Sequence, residues 1–215
     1  MAIRINIGCG QTPTEGWCNY DNSWSLRLSK VTRLSRVAGR FGLLSASQRD
    51  FISFAKEAGI MWADASTHIP HRDGAVDVVY CSHMLEHLDR EGVQAFLKEV
   101  RRVLRPGGII RIAVPDIRYH VDNYLTDGDA DRFIERTGLT EGRPKTVLQK
   151  LTYIIVGDRH HKWMYDGDSL CRLLAALGFE APRIMGPGAT MIPEPGALNL
   201  TERVPESVFV EALNP

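Results

Sequence analysis

Arg4-Ile5-Asn6-Ile7-Gly8-Cys9-Gly10 is a short apolar run that ends on two glycines. β-forming residues that stop at a Gly-x-Gly turn predict a first strand running into a bend where backbone approaches a ligand closely. At the carboxyl end of a parallel strand, such a turn is where nucleotide-like ligands bind in open α/β sheets. The same turn occurs in loops that bind nothing, so the residues that follow must decide. Residues 11–16 hold two threonines, Pro13 and Gly16, which is loop chemistry with room for at most one helical turn. Trp17-Cys18-Asn19-Tyr20 predicts a second strand closing on Asp21, eleven positions after Gly10. A dinucleotide fingerprint places its acid about twenty residues on, so the usual crossover helix is shortened here.

Further out, residues 25–58 read as a helical insertion. Leu26, Val31, Leu34 and Val37 predict one amphipathic helix, and Phe51, Phe54, Ala55 and Ala58 the apolar face of a second, ended by Gly59. Ile60–Ala63 predicts a strand closing on Asp64, and Val76–Tyr80 a buried central strand. A helix over 90–104 follows, broken by Pro106-Gly107-Gly108, and then a strand over 109–114. This alternation predicts a parallel sheet covered on both faces. A helical, lid-like region over 117–156 is followed by a loop crowded with His160, His161, Lys162, Trp163 and Tyr165, and by a helix over 168–177. A long Pro- and Gly-rich connection, 186–205, precedes a final strand over 207–212.

Composition narrows the class. A chain of 215 residues is long enough for a single α/β domain over 1–215 and too short for two large ones. Lys+Arg and Asp+Glu are equal at 26 each, so no global field recruits nucleic acid, and none is expected as a partner. A local basic stretch, Arg27, Lys30, Arg33, Arg36 and Arg40, lies at helical spacing in 25–40. It reads as a solvated face or as a peripheral contact with an acidic substrate or lipid head group. Cys9, Cys18, Cys81 and Cys171 form no CxxC pair and no disulfide framework, which fits a reducing cytoplasm. No signal peptide or transmembrane stretch is read.

Several stretches, taken in order, resemble the class I S-adenosylmethionine-dependent methyltransferases, in particular the small bacterial type 11 group. They are Ile5–Gly10, Asn19-Tyr20-Asp21, Asp64-Ala65, the run from Asp77 to Leu88, and the run from Glu99 to Gly108. The resemblance implies a Rossmann-like, mostly parallel seven-stranded sheet with a carboxyl-terminal antiparallel hairpin, and S-adenosylmethionine as cofactor. On this reading, backbone at Gly8, Cys9 and Gly10 approaches the amino-acid and ribose portion, and Asp21 accepts hydrogen bonds from the ribose diol. By resemblance, Asp64 with Ala65 holds the adenine edge, and Cys81 and Ser82 border the cofactor at the end of the fourth strand.

His83-Met84-Leu85-Glu86-His87 also fits H-x-x-E-H, a zinc-peptidase pattern. That chemistry needs both histidines on one helix face and a further ligand downstream. Directly after a buried strand the pattern reads instead as a turn, with His87 fixing it and His83 as an active-site wall; no metal is expected. Methyl transfer to an alcohol needs a base, for which His83 comes first and His160 or His161 second. The lid composition favours a small polar or glycan acceptor. The alternatives are a non-catalytic protein that kept the fold, a nicotinamide-dependent reductase and a zinc metallopeptidase.

Overall fold

The computed structural model describes residues 2–23, 26–27, 46–139 and 160–215. The strands are β1 (Arg4–Ile7), β2 (Cys18–Asp21), β3 (Met61–Trp62), β4 (Val76–Ser82), β5 (Leu104–Pro115), β6 (Glu180–Met185) and β7 (Ser207–Leu213). They form one sheet in the order β3-β2-β1-β4-β5-β7-β6. The first five are parallel, and β7 runs antiparallel to both β5 and β6. The helices are α1 (Ala46–Glu57), α2 (Arg90–Val103), α3 (Ile117–Asp127), α4 (Ala130–Thr137) and α5 (Gly167–Ala176). The basic stretch over 28–40 and residues 140–156 of the lid-like region lie outside the described residues; Arg27 sits over the Trp62 ring. Among the described residues, no helix is long and apolar enough to cross a membrane.

From β1 the chain winds outward through β2 and β3, and from β4 it winds the other way through β5. The strand order therefore reverses between β1 and β4, and the crevice outside their carboxyl ends is where a ligand sits in this topology. α2 starts at Asp89, whose side chain accepts the Gly92 N–H at 2.8 Å, and buries Val93, Phe96, Leu97, Val100 and Val103 at three- and four-residue spacing. With Leu170 and Leu174 of α5 they cover one face of the sheet, against Val79, Ile110, Ile112 and Val210.

The other face differs from the expected helical cover. Alternate strand residues Val78, Tyr80, Ile109, Ala113 and Phe209 meet Trp17, Ile192 and Leu198, so the 186–205 connection packs on the sheet here. Two further expectations change. Phe54 of α1 is 36% exposed and only Ala55 of its predicted apolar face is fully buried. Pro106-Gly107-Gly108 lies inside β5 at a register shift against β4, because the Gly107 N–H and the Gly108 carbonyl pair with Asn214.

Arg102 of α2 clamps the segment after β3. It donates to Glu99, Asp73 and the Ile69 and His71 carbonyls, while Glu99 accepts the Ile69 N–H at 3.0 Å. The hydrogen bond from Arg102 holds the Glu99 carboxyl below its ordinary 4.5. A carboxyl depressed on folding stabilises the protein above its unfolded value, and that contribution is lost as pH falls through the folded value. Glu99→Gln is therefore expected to lower stability by about 1 kcal/mol near neutrality. The gap should narrow in urea melts as pH falls from 4.5 through the lower folded value.

Candidate active site

The glycine turn is tied to β2. Gly8 and Cys9 both donate N–H to the Tyr20 carbonyl, at 2.8 and 3.1 Å, and the Thr12 N–H closes the turn on the Cys9 carbonyl at 2.8 Å. Buried Asn6 and Asn19 hold the following loop through Thr12 and Thr14, so no crossover helix intervenes. Gly8 has φ +71°, and a Cβ there would stand 3.0 Å from Met84 Cγ. Gly8→Ala is expected to cost about 1–2 kcal/mol for the left-handed backbone alone, besides displacing Met84. Gly8→Ala with Met84→Ala should recover only the steric part in thermal melts. At Gly10 nothing lies within 4 Å of such a Cβ, which leaves its backbone open to a ligand.

Asp21 ends β2 half-buried beside this turn. Its Oδ2 accepts the Gly10 N–H at 3.1 Å and its Oδ1 the Ser23 N–H at 2.8 Å. One site on each oxygen is thus occupied by backbone, and each keeps acceptor capacity for a hydroxyl. Half-buried Asp64 follows β3, with its Oδ1 accepting from the Ser66 N–H and hydroxyl at 3.2 and 2.6 Å. Ala65 is buried in the main core.

Cys9 faces inward against Leu26, Ala55 and Ile60. Burial first, and the Asp21 carboxylate second, push its thiol up to about 12, so it stays protonated and is no nucleophile. The Cys81 thiol is likewise in the core, raised by burial. Ser82 is half-buried at the carboxyl end of β4.

Across the crevice, residues 83–87 leave β4 through a one-turn 3-10 helix, Leu85–His87. His83 has φ +48° and its N–H donates to the Ala113 carbonyl on β5. Its Nε2 is 3.0 Å from Ser207 Oγ, and its Nδ1 is 3.4 Å from Glu86 Oε1. Glu86 is fully buried. The Glu86 carbonyl accepts the Lys162 and Trp163 N–H groups, at 2.6 and 3.3 Å, which brings the 160–166 loop against the sheet edge. A bridge between Asp116 and Tyr165 fixes the loop's other end.

His161 therefore reaches the same corner: its Nδ1 lies 2.7 Å from the Thr137 carbonyl and its Nε2 4.0 Å from Glu86 Oε1. Burial is the largest influence on its imidazole and holds it below the ordinary value. His83 and His161 meet around Glu86. His160 joins them through its backbone, its carbonyl 3.2 Å from His87 Nδ1. Sequence reading left Glu86 without a role and gave His87 only the turn; their signal was the H-x-x-E-H spacing itself. Exposed Trp163 lies under Arg90, 4.8 Å from ring centre to guanidinium carbon.

The geometry fits an adenosyl ligand: an open backbone turn and a pinned carboxylate at the end of β2, beside the reversal of strand order. A family model described as a methyltransferase domain matches residues 43–112. Methyltransferase GfsG of Streptomyces halstedii is 28% identical over 123 residues, 57% of this chain and 41% of that protein, so the match spans less than half of the relative. A solved SAM-dependent methyltransferase of Thermotoga maritima, described as a possible histamine N-methyltransferase, aligns with TM-score 0.52 at 15% identity. That alignment covers 100% of this chain and 83% of the other. A SAM-dependent methyltransferase of Methanosarcina mazei gives 0.52 at 15% identity, over 98% and 91%. At such identities the solved structures speak for the fold alone. The fold is therefore that of the class I S-adenosylmethionine-dependent methyltransferases, and the sequence match to a methyltransferase domain is confined to residues 43–112.

Proposed function

We propose that the chain methylates a hydroxyl of a small polar or glycan acceptor. The observation that carries the cofactor half is the Asp21 carboxylate, held by one backbone N–H on each oxygen beside the Gly8–Gly10 turn. In this reading Asp21 takes the ribose diol, Asp64 and the backbone at Ala65 the adenine edge, and the backbone at Gly8, Cys9, Gly10 and Cys81, with Ser82, the remaining wall. S-adenosylmethionine supplies an electrophilic methyl carbon on a sulfonium, so the protein's task is alignment and exclusion of water.

The acceptor half rests on the corner after β4. Imidazoles at His83 and His161 stand about a buried carboxylate, and Trp163 offers a ring for stacking against a polar acceptor. His83 is held through Nε2 against the Ser207 hydroxyl and so positions the corner, His161 turns Nε2 toward Glu86, and His160 contributes its carbonyl. Titration of S-adenosylmethionine by calorimetry tests the cofactor half, and no binding at millimolar concentration overturns it. Release of S-adenosylhomocysteine with hydroxylated acceptors tests turnover. Binding without release under any acceptor returns the protein to a non-catalytic role.

A further inference from the structure

Glu86 is 0% exposed, and among the described residues neither of its carboxylate oxygens has a hydrogen-bond partner. A buried, unpaired carboxylate is costly, so something must compensate it. What faces it is imidazole nitrogen: His83 Nδ1 at 3.4 Å, His87 Nε2 at 3.9 Å and His161 Nε2 at 4.0 Å. These separations are too long for hydrogen bonds. In two of the three rings the other nitrogen lies against a backbone carbonyl: His87 Nδ1 on His160 at 3.2 Å and His161 Nδ1 on Thr137 at 2.7 Å. A carbonyl only accepts, so both rings carry a proton on Nδ1 and turn Nε2 toward the carboxylate. Either protons on these nitrogens or a cation shared between them and the carboxylate compensates the buried charge, and the convergence of two rings on one oxygen is the geometry of the second. Orientation of a histidine by an Nδ1–H to carbonyl bond is also how metal-binding imidazoles are held.

We propose that Glu86 Oε1, His87 Nε2 and His161 Nε2 form a binding site for one divalent cation of the zinc or cobalt kind. The three ligand atoms lie within 4.8 Å of one another. Ligands at about 2.0–2.1 Å from a tetrahedral ion stand roughly 3.4 Å apart, so small side-chain rotations close the set. Two imidazoles and one carboxylate suit a borderline ion better than magnesium or calcium. His87, 36% exposed at its side chain, leaves an open coordination position toward solvent. His83, held by Ser207 through Nε2, keeps its Nδ1 3.4 Å from the same carboxylate oxygen.

The site is not the peptidase arrangement the spacing first resembles. His83 and His87 do not share a long helix face, Glu86 is a ligand rather than a base, and the third ligand comes from the 160–166 loop. The cation ties that loop to the end of β4. If the acceptor is a hydroxyl, an open position would also acidify it. That consequence rests on the proposed reaction; the binding does not.

The test uses the full chain, stripped with chelator and titrated with Co2+ alone. One equivalent should bind saturably with a visible d–d band that Zn2+ abolishes. His87→Ala and His161→Ala should each lose the band, whereas His68→Ala, at a surface histidine with 67% side-chain exposure, should keep it. X-ray absorption of zinc-loaded wild-type protein should show two imidazoles and no sulfur, a result that needs no variant to fold. Absence of saturable binding, a band retained in both ligand variants, or sulfur in the shell overturns the site. None of these bears on the S-adenosylmethionine titration, so the cofactor reading stands or falls separately.

Discussion

Replacing Glu211 with alanine is expected to destabilise the protein by about 3–5 kcal/mol, which for a chain of this size is roughly 6–20 °C in melting temperature. Arg111 and Glu211 are cross-strand partners on β5 and β7, both at 0% exposure, with Nη1 and Oε1 2.5 Å apart. Removing one charge leaves the other buried and unpaired. The pair also does what secondary structure does elsewhere in the sheet. Arg111 donates to the Ala189 and Leu200 carbonyls, at 3.0 and 3.2 Å, and Glu211 accepts from the Thr190 hydroxyl and the Met191 N–H, each at 2.6 Å. A connection without helix or strand can therefore lie on the sheet, its backbone groups satisfied by this ion pair. Tyr80, donating to Glu202 at 2.8 Å, adds a second tether.

The double variant Arg111→Met with Glu211→Leu sharpens the point. Exchange of a buried ion pair for apolar residues is often neutral. Here it would orphan two carbonyls and an N–H, at about 1–3 kcal/mol each, so the double variant should remain clearly destabilised. Wild-type stability in urea melts would show that the pair does not hold the 186–205 segment.

Asp21→Ala is expected to weaken S-adenosylmethionine binding about ten- to a hundredfold by calorimetry, the equivalent of a charge-assisted contact of roughly 1.5–3 kcal/mol. Asp21→Asn should do little better. An amide has one acceptor oxygen, and its NH2 would face either the Gly10 or the Ser23 N–H, donor against donor. If Asp21 holds the ribose as proposed, adenosine and S-adenosylhomocysteine should lose affinity alongside the cofactor, while methionine should not. Binding by Asp21→Ala within twofold of wild type would remove Asp21 as the ribose ligand.

Much of the molecule is written locally. The Gly8–Gly10 turn, the Asp21 strand end, the α2 stripe from Val93 to Val103 and the succession of strands and helices along the chain follow from periodicity and turn chemistry. The resemblance to the methyltransferases rests on those same stretches. Arg111 and Glu211 were visible as lone charges inside Ile109–Val114 and Val208–Ala212, yet a sequence of one chain does not say that they face each other. Nor does it reveal what covers the second face of the sheet, since Pro- and Gly-rich composition reads as surface loop.

The corner after β4 divides in the same way. Sequence alone determined that His83, Glu86 and His87 lie together at the end of a buried strand, because helix and strand signals act over a few residues. Only tertiary structure brought in His161, seventy-four positions beyond His87, and turned the His87 and His161 rings by the carbonyls behind them. Backbone hydrogen bonds from Lys162 and Trp163 to Glu86 made that meeting. Long-range contacts of this kind depend on where the chain returns in space, which side-chain spacing does not encode.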